Sequence, residues 1–264
     1  PGLIGTSVAL AARRAWPAVA IAQFDCGDSL EAAADADVIV LATPVDVIID
    51  ILTRDARWFG EALVLDTGST KRAILAVARN TGLQHFVGGH PMAGAASSGS
   101  RDARTDLFDG KPWFLIPADP ASLKVSRAEA FVAALGATPV VMSGDGTDHD
   151  QVMAAVSHLP QVVASVLMRV VGQTMGQGGL QWAGGGLRDT TRLASSPSSI
   201  WESVLATNAT ELRPLLLELA DEIIEVAHGL DDPDTVRRLF DAANHHRGRL
   251  TSAQYNSVDE QGPP

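Results

Sequence analysis

His90 lies in the segment Gly88-Gly89-His90-Pro91-Met92-Ala93-Gly94, downstream of a second segment rich in small residues, Asp66-Thr67-Gly68-Ser69-Thr70-Lys71. Each follows a hydrophobic, strand-like run, so a His and a Ser are expected on loops where open α/β sheets bind ligands. A loop imidazole can accept a proton at neutral pH. Gly88, Gly89, Pro91 and Gly94 are expected to impose an unusual backbone around it, which is uncommon for a core-filling His. Ser69 or Thr67 could equally cap the helix that follows. Leu41-Ala42-Thr43-Pro44 reads as a strand running into a loop, either over a cofactor or as an ordinary exit. Two later segments complete the set: Ser157-His158-Leu159-Pro160-Gln161, and Gly184 to Ala194 with Arg188 and Arg192. By itself His158 reads as structural. The two arginines, four apart, are expected to share a solvated helix face.

The elements that must position these residues begin with Gly2-Leu3-Ile4-Gly5, followed by Val8–Arg14. This resembles the back half of a G-x-G-x-x-G loop opening a helix, where glycines let backbone approach a pyrophosphate and helix pack on strand. The first glycine and its strand are expected upstream of Pro1. Val19–Phe24 reads as a strand ending at Asp25, whose distance from Gly5 suits an acidic residue that binds an adenosine ribose and favours NAD. The alternative is a solvated Asp at a strand end. Residues 26–36 are too few for the extra helix and strand such domains usually carry, so the sequence is expected to join residues across a gap there. Strands are expected at Asp37–Thr43, Leu63–Asp66, His85–Gly88, Trp113–Ile116 and Pro139–Met142. Helices are expected between them at Val45–Arg57, Thr70–Thr81 and Ala128–Leu135. That alternation predicts a mostly parallel sheet covered on both faces.

After Gly144 the pattern turns helical. Leu212, Leu216, Leu219, Ile223 and Val226 form one apolar stripe, and Asp232-Pro233 starts a further helix. The expected fold is therefore α/β: a Rossmann-type dinucleotide-binding domain over 1–145, an all-helical substrate and dimerisation domain over 146–250, and a fraying polar tail over 251–264.

The chain has 264 residues, 46% hydrophobic and 19% charged, which is enough for a substantial core. A net charge of −11 argues against non-specific nucleic-acid or anionic-membrane binding. It leaves room for an anionic small substrate held by one local Arg. Cys26 is the single cysteine, so no intrachain disulfide can form and a cytoplasmic setting is expected. The apolar runs Val38–Ala42 and Pro160–Met168 are far shorter than a membrane span, and no metal site is expected.

Taken in order, Gly-Leu-Ile-Gly-x-Ser, D-x-G-S-x-K, G-G-H-P-M-A-G, S-H-L-P-Q and G-G-G-x-R-D-x-T-R-x-A resemble the prephenate and arogenate dehydrogenases of tyrosine biosynthesis over nearly the whole chain. The resemblance implies oxidative decarboxylation of prephenate to 4-hydroxyphenylpyruvate, with hydride passing to NAD. It implies that His90 is the base for the ring hydroxyl and that Ser69 hydrogen-bonds near it and holds its orientation. Arg192 would pair with a substrate carboxylate, His158 would line the substrate pocket, and Gly94 would lie at the substrate. Gly2, Leu3, Ile4, Gly5, Asp25, Thr43 and Pro44 would hold NAD. A homodimer through the helical domain is also implied, with Asp189 and Trp201 near the domain boundary.

The chain departs from the pattern at Ala95-Ala96-Ser97-Ser98-Gly99, where many prephenate-specific members carry a polar residue and Glu. Arogenate, with tyrosine as direct product, therefore stays open as the substrate. Another two-domain β-hydroxyacid-type dehydrogenase would use a helical-domain Lys or Asp, and no Lys follows Lys124. A non-catalytic NAD-binding regulator would have no need of a base.

Overall fold

The computed structural model describes residues 2–25, 27–94 and 99–259, with side chains described as far as residue 250 apart from residue 177. Among the described residues, five strands form one sheet in the order β1-β2-β3-β4-β5: Val38–Leu41, Leu63–Asp66, Phe86–Pro91, Pro112–Pro117 and Thr138–Val141. The pairs β1–β2, β2–β3 and β4–β5 are parallel, and β3–β4 is antiparallel. The sheet is therefore mixed.

Alternation along the strands sorts the core onto two faces. Leu63 and Leu65 of β2 and Trp113 and Leu115 of β4 pack with helices α1 (Leu3–Ala15) and α4 (Val125–Ala134). Val64 and Ile116 point the other way, toward α2 (Val45–Arg54) and α3 (Arg72–Asn80). Strands buried on both faces read as continuous hydrophobic runs, as Leu63-Val64-Leu65 does.

Beyond Val141 every element is helical. These are α5 (Thr147–Met153), a π-helical turn (Ala154–His158), α6 (Leu159–Leu180), α7 (Gly185–Thr190), a 3-10 turn (Arg192–Ser195), α8 (Ser198–Thr207), α9 (Ala209–His228) and α10 (Pro233–Asp259). The π turn has a local cause. Pro160 cannot donate to the carbonyl four residues back and its ring crowds that carbonyl, so the preceding turn widens. By compactness the chain divides into residues 1–213 and 214–264.

Several expectations are corrected. Val19–Phe24 is not a strand, because no ladder pairs with it among the described residues. The proposed join beyond Asp25 falls on Cys26, outside the described residues; around it, Asp28 N–H donates to the Asp25 carbonyl at 3.1 Å. The helix expected from Val8 already begins at Leu3. Arg188 and Arg192 do not share one helix, since α7 stops at Thr190 and Arg192 opens the 3-10 turn. The backbone of α10 runs on through Thr251 to Asp259, into the segment expected as a polar tail, and no Gly or Pro interrupts that segment before Gly262. Residues 260–264 and Ala95–Ser98, the site of the missing Glu, lie outside the described residues. Finally, one helical stretch, Thr147–Gly176, is by length and composition long and apolar enough to cross a bilayer.

Candidate active site

His90 is not on a loop. It is the fifth residue of β3, opposite Phe114 of β4, and is only partly buried. The antiparallel pairing with β4 extends the strand through Pro91. The glycines before it serve close approach, not an unusual backbone conformation. A Cβ at Gly89 would lie 2.3 Å from the Asp66 carbonyl oxygen, so only glycine lets β3 run this close to the end of β2.

Asp66 and Lys71 hold that approach. The Asp66 carboxylate accepts from the backbone N–H of Gly68 (2.7 Å) and of Gly89 (2.9 Å), and it pairs with the Lys71 ammonium. Lys71 Nζ also donates to the Gly89 carbonyl at 2.7 Å. Both sides of the Gly89 residue are thus tied to one fully buried ion pair, one residue before the imidazole. Burial pushes Asp66 up and Lys71 down from their ordinary pKa values, against the attraction between them.

A second element closes on the same place. Gly146, with φ +93°, precedes α5, and a Cβ there would meet Arg72 N at 2.8 Å. Glycine is required both for the left-handed turn and for the contact. It sets the first turn of α5 against the start of α3, where Asp150 accepts from Lys71 N–H (2.7 Å) and Arg72 N–H (3.0 Å). Those amides are orphan donors of a helix start, and its positive end favours a carboxylate. Asp150 Oδ1 also meets His149 Nδ1 at 2.8 Å, and His149 Nε2 meets His90 Nδ1 at 2.9 Å. Phe114 packs against both imidazoles. Burial holds the His90 pKa well below its usual value, helped by the nearby His149, Lys71 and His158. The His90 imidazole is therefore neutral at neutral pH.

The His90 partner is thus His149, and no hydrogen bond joins His90 to Ser69 among the described residues. Ser69 is partly buried on the loop between β2 and α3 and does not cap α3. His149 and Asp150 were missed from sequence. Their one local signal is a glycine-flanked start, Gly144-Asp145-Gly146, directly before a His-containing helical turn.

The S-H-L-P-Q segment faces two ways. His158 is buried, accepts from Asn208 Nδ2 at 3.0 Å, and sits edge-on to Trp201 with ring centres 5.9 Å apart. Its Nε2 has no partner among the described residues, and burial lowers its pKa to about 4. Gln161 donates from Nε2 to the Leu193 carbonyl at 2.8 Å, which ties α6 to the turn carrying Arg192. Arg192 is exposed and makes no side-chain ion pair among the described residues. Asp189 is exposed as well.

At the carboxyl edge of β1, Thr43 and Pro44 are exposed, and Pro44 precedes α2. A Cβ at Gly5 would meet the Ala42 Cβ at 3.2 Å, so α1 packs tightly beside that edge. Gly2 precedes α1 with no side-chain cap and with open space where a Cβ would be. Leu3 and Ile4 form the first helical turn. A helix start without a side-chain cap among the described residues, beside a strand edge, fits a dinucleotide pyrophosphate. Asp25 is exposed on its turn, and its backbone N–H donates to the Asp28 carboxylate at 2.7 Å. Gly94 has open space around it.

The chain is similar to known proteins in sequence and in fold. The family model for the prephenate dehydrogenase nucleotide-binding domain matches residues 8–141, and the one for the prephenate dehydrogenase dimerization domain matches residues 145–241. Prephenate dehydrogenase of Bacillus subtilis is 29% identical, over 97% of this chain and 76% of that protein. The probable prephenate dehydrogenase NovF of Streptomyces niveus is 34% identical, over 88% and 68%. The fold is shared with the crystal structure of Aquifex aeolicus prephenate dehydrogenase in complex with hydroxyphenyl propionate and NAD+, at a TM-score of 0.82 and 23% identity, covering 94% of this chain and 95% of that one. With both family models matched in order along a mixed sheet followed by helices, the chain belongs to the prephenate dehydrogenase family.

Proposed function

We propose that the protein oxidatively decarboxylates prephenate to 4-hydroxyphenylpyruvate, with NAD as the hydride acceptor. The observation that carries this is His90, a neutral imidazole on a clamped strand, in a chain whose family acts on that substrate. NAD, when bound, takes the hydride from the carbinol carbon. Gly2 would leave room for its pyrophosphate, Gly5 lets α1 pack against Ala42 beside that place, Thr43 and Pro44 would border it, and Asp25 would take the adenosine ribose. His90 Nε2 accepts the hydroxyl proton as the carbinol carbon is oxidised. The ring carboxylate leaves as carbon dioxide, its two bonding electrons complete the aromatic ring, and His90 returns the proton to the phenolate oxygen, giving the phenol and restoring the neutral imidazole.

Arg192 supplies the cation for a substrate carboxylate, and the lack of an ion-pair partner among the described residues leaves the guanidinium available. His158 lines the pocket with an Nε2 that has no partner among the described residues. Ser69 acts on the hydroxyl from the β2–α3 loop, not through a bond to His90. The active form is a homodimer through the helical region. Uncovered Val166, Leu167, Val170 and Met175 on α6, together with the dimerization-domain match, support that reading. We place the enzyme in the cytoplasm, in keeping with its single cysteine.

The test follows NADH absorbance with NAD and prephenate, and in a second arm with arogenate. Turnover of prephenate is expected to fall about 10²–10⁴-fold in His90→Ala. No signal with prephenate, or undiminished turnover in that variant, would overturn the proposal.

A further inference from the structure

We propose that His149 is a positioning residue for His90, holding it in the one tautomer whose Nε2 is free to accept a proton. The inference rests on the reading of His90 as the base.

The argument begins at Asp150. Its carboxylate is surrounded by donors: Lys71 N–H and Arg72 N–H at the start of α3, and the His149 ring. An ionised carboxylate only accepts, so the proton of a neutral His149 must sit on Nδ1, 2.8 Å from Asp150 Oδ1. His149 Nε2 then carries a lone pair. It lies 2.9 Å from His90 Nδ1, so His90 must donate there. A neutral His90 that donates from Nδ1 has its lone pair on Nε2. Reversing the chain would place the His90 proton on Nε2 and remove the base.

The packing allows little else. His149 and Asp150 are fully buried, and Phe114 fixes the angle between the two rings. Gly89, just before His90, is clamped by Asp66 and Lys71. Helix α3 anchors Asp150 through its own first amides, so the orientation of His90 is referred back to a helix start. In the Ser-His-Asp arrangement a carboxylate sets an imidazole tautomer directly. Here a second imidazole stands between carboxylate and base.

Two measurements test this on the full chain. Histidine ¹⁵N spectra of the unmutated protein, with His90 assigned by His90→Gln, report its tautomer without turnover. Protonated Nδ1 is expected. Protonated Nε2 would refute the proposal even if prephenate is turned over. In the kinetic arm, His149→Ala is expected to lower kcat about 10–100-fold while KM for prephenate changes less than about threefold. His149→Gln, whose side-chain oxygen reaches the position of Nε2, should restore most of that loss. Equal losses in both variants would assign His149 a purely structural role, and a kcat unchanged in His149→Ala would remove it altogether. If His149→Ala does not fold, the spectra and His149→Gln still decide. If the unmutated protein turns over neither substrate, the assigned reaction fails, and the tautomer result stands by itself.

Discussion

The surroundings of His90 and the rim proposed to face ligand differ in how their polar groups are satisfied. Behind His90, Asp66, Lys71, His149 and Asp150 are fully buried and every one is paired within the chain. On the rim, Thr43 and Arg192 are exposed, and Gly2 and Gly94 leave open space. Buried polar groups must be satisfied at folding or they cost more than they contribute. Ligand-facing groups can stay solvated until a ligand replaces water. On the proposed reading, the geometry around His90 is settled at folding, whereas affinity would reside in groups that contribute little to stability.

Breaking the buried side should have the largest effect. Lys71→Met leaves the Asp66 carboxylate with two amide donors but no counter-charge. Removing one partner of a buried pair costs about 3–5 kcal/mol, so denaturant unfolding should show a loss of that order. A loss below about 1 kcal/mol would mean that the clamp is not what holds Gly89.

Acid should act next on the same region. Folding lowers the pKa of His158 from 6.5 to about 4 and that of His90 well below 6.5. The unfolded chain therefore binds more protons than the native one below pH 6.5, and stability falls as pH drops from there toward 4. His158→Gln should flatten that fall in a melting series across the window. An unchanged slope would assign the acid sensitivity elsewhere.

The rim should show the smallest effect on stability and a distinct effect on kinetics. Arg192→Ala is expected to change stability by less than about 0.5 kcal/mol, while raising KM for prephenate on the order of 10–100-fold. A melting temperature that falls with KM unchanged would reverse the contrast between the two regions.

How much of this was legible beforehand follows the same division. The hydrophobic runs Val38–Leu41, Leu63–Leu65 and Trp113–Ile116 announce strands, because a sheet covered on both faces needs apolar residues on every position. His90, Ser69, Arg192 and the Gly2–Gly5 start were also readable, since each lies in a short segment of unusual composition. The strand character of His90 was not. It depends on an antiparallel partner, β4, that follows more than twenty residues later, outside any local window. His149 and Asp150 escaped notice for a related reason. As Asp148-His149-Asp150-Gln151 they look like a solvated helical turn, and only the approach of α5 to α3 buries them.

Sequence by itself determined the alternation of strands and helices, the change to helices after Val141, and the residue types available for proton transfer and carboxylate binding. These follow from periodicity and local composition, which neighbours along the chain decide. Only the tertiary structure decided that Asp66 and Lys71 clamp Gly89, that Gly146 admits α5 against the start of α3, and that His149 and not Ser69 meets His90. Hydrogen bonds between residues 59 or 79 positions apart are set by how elements pack, and no local pattern encodes that distance.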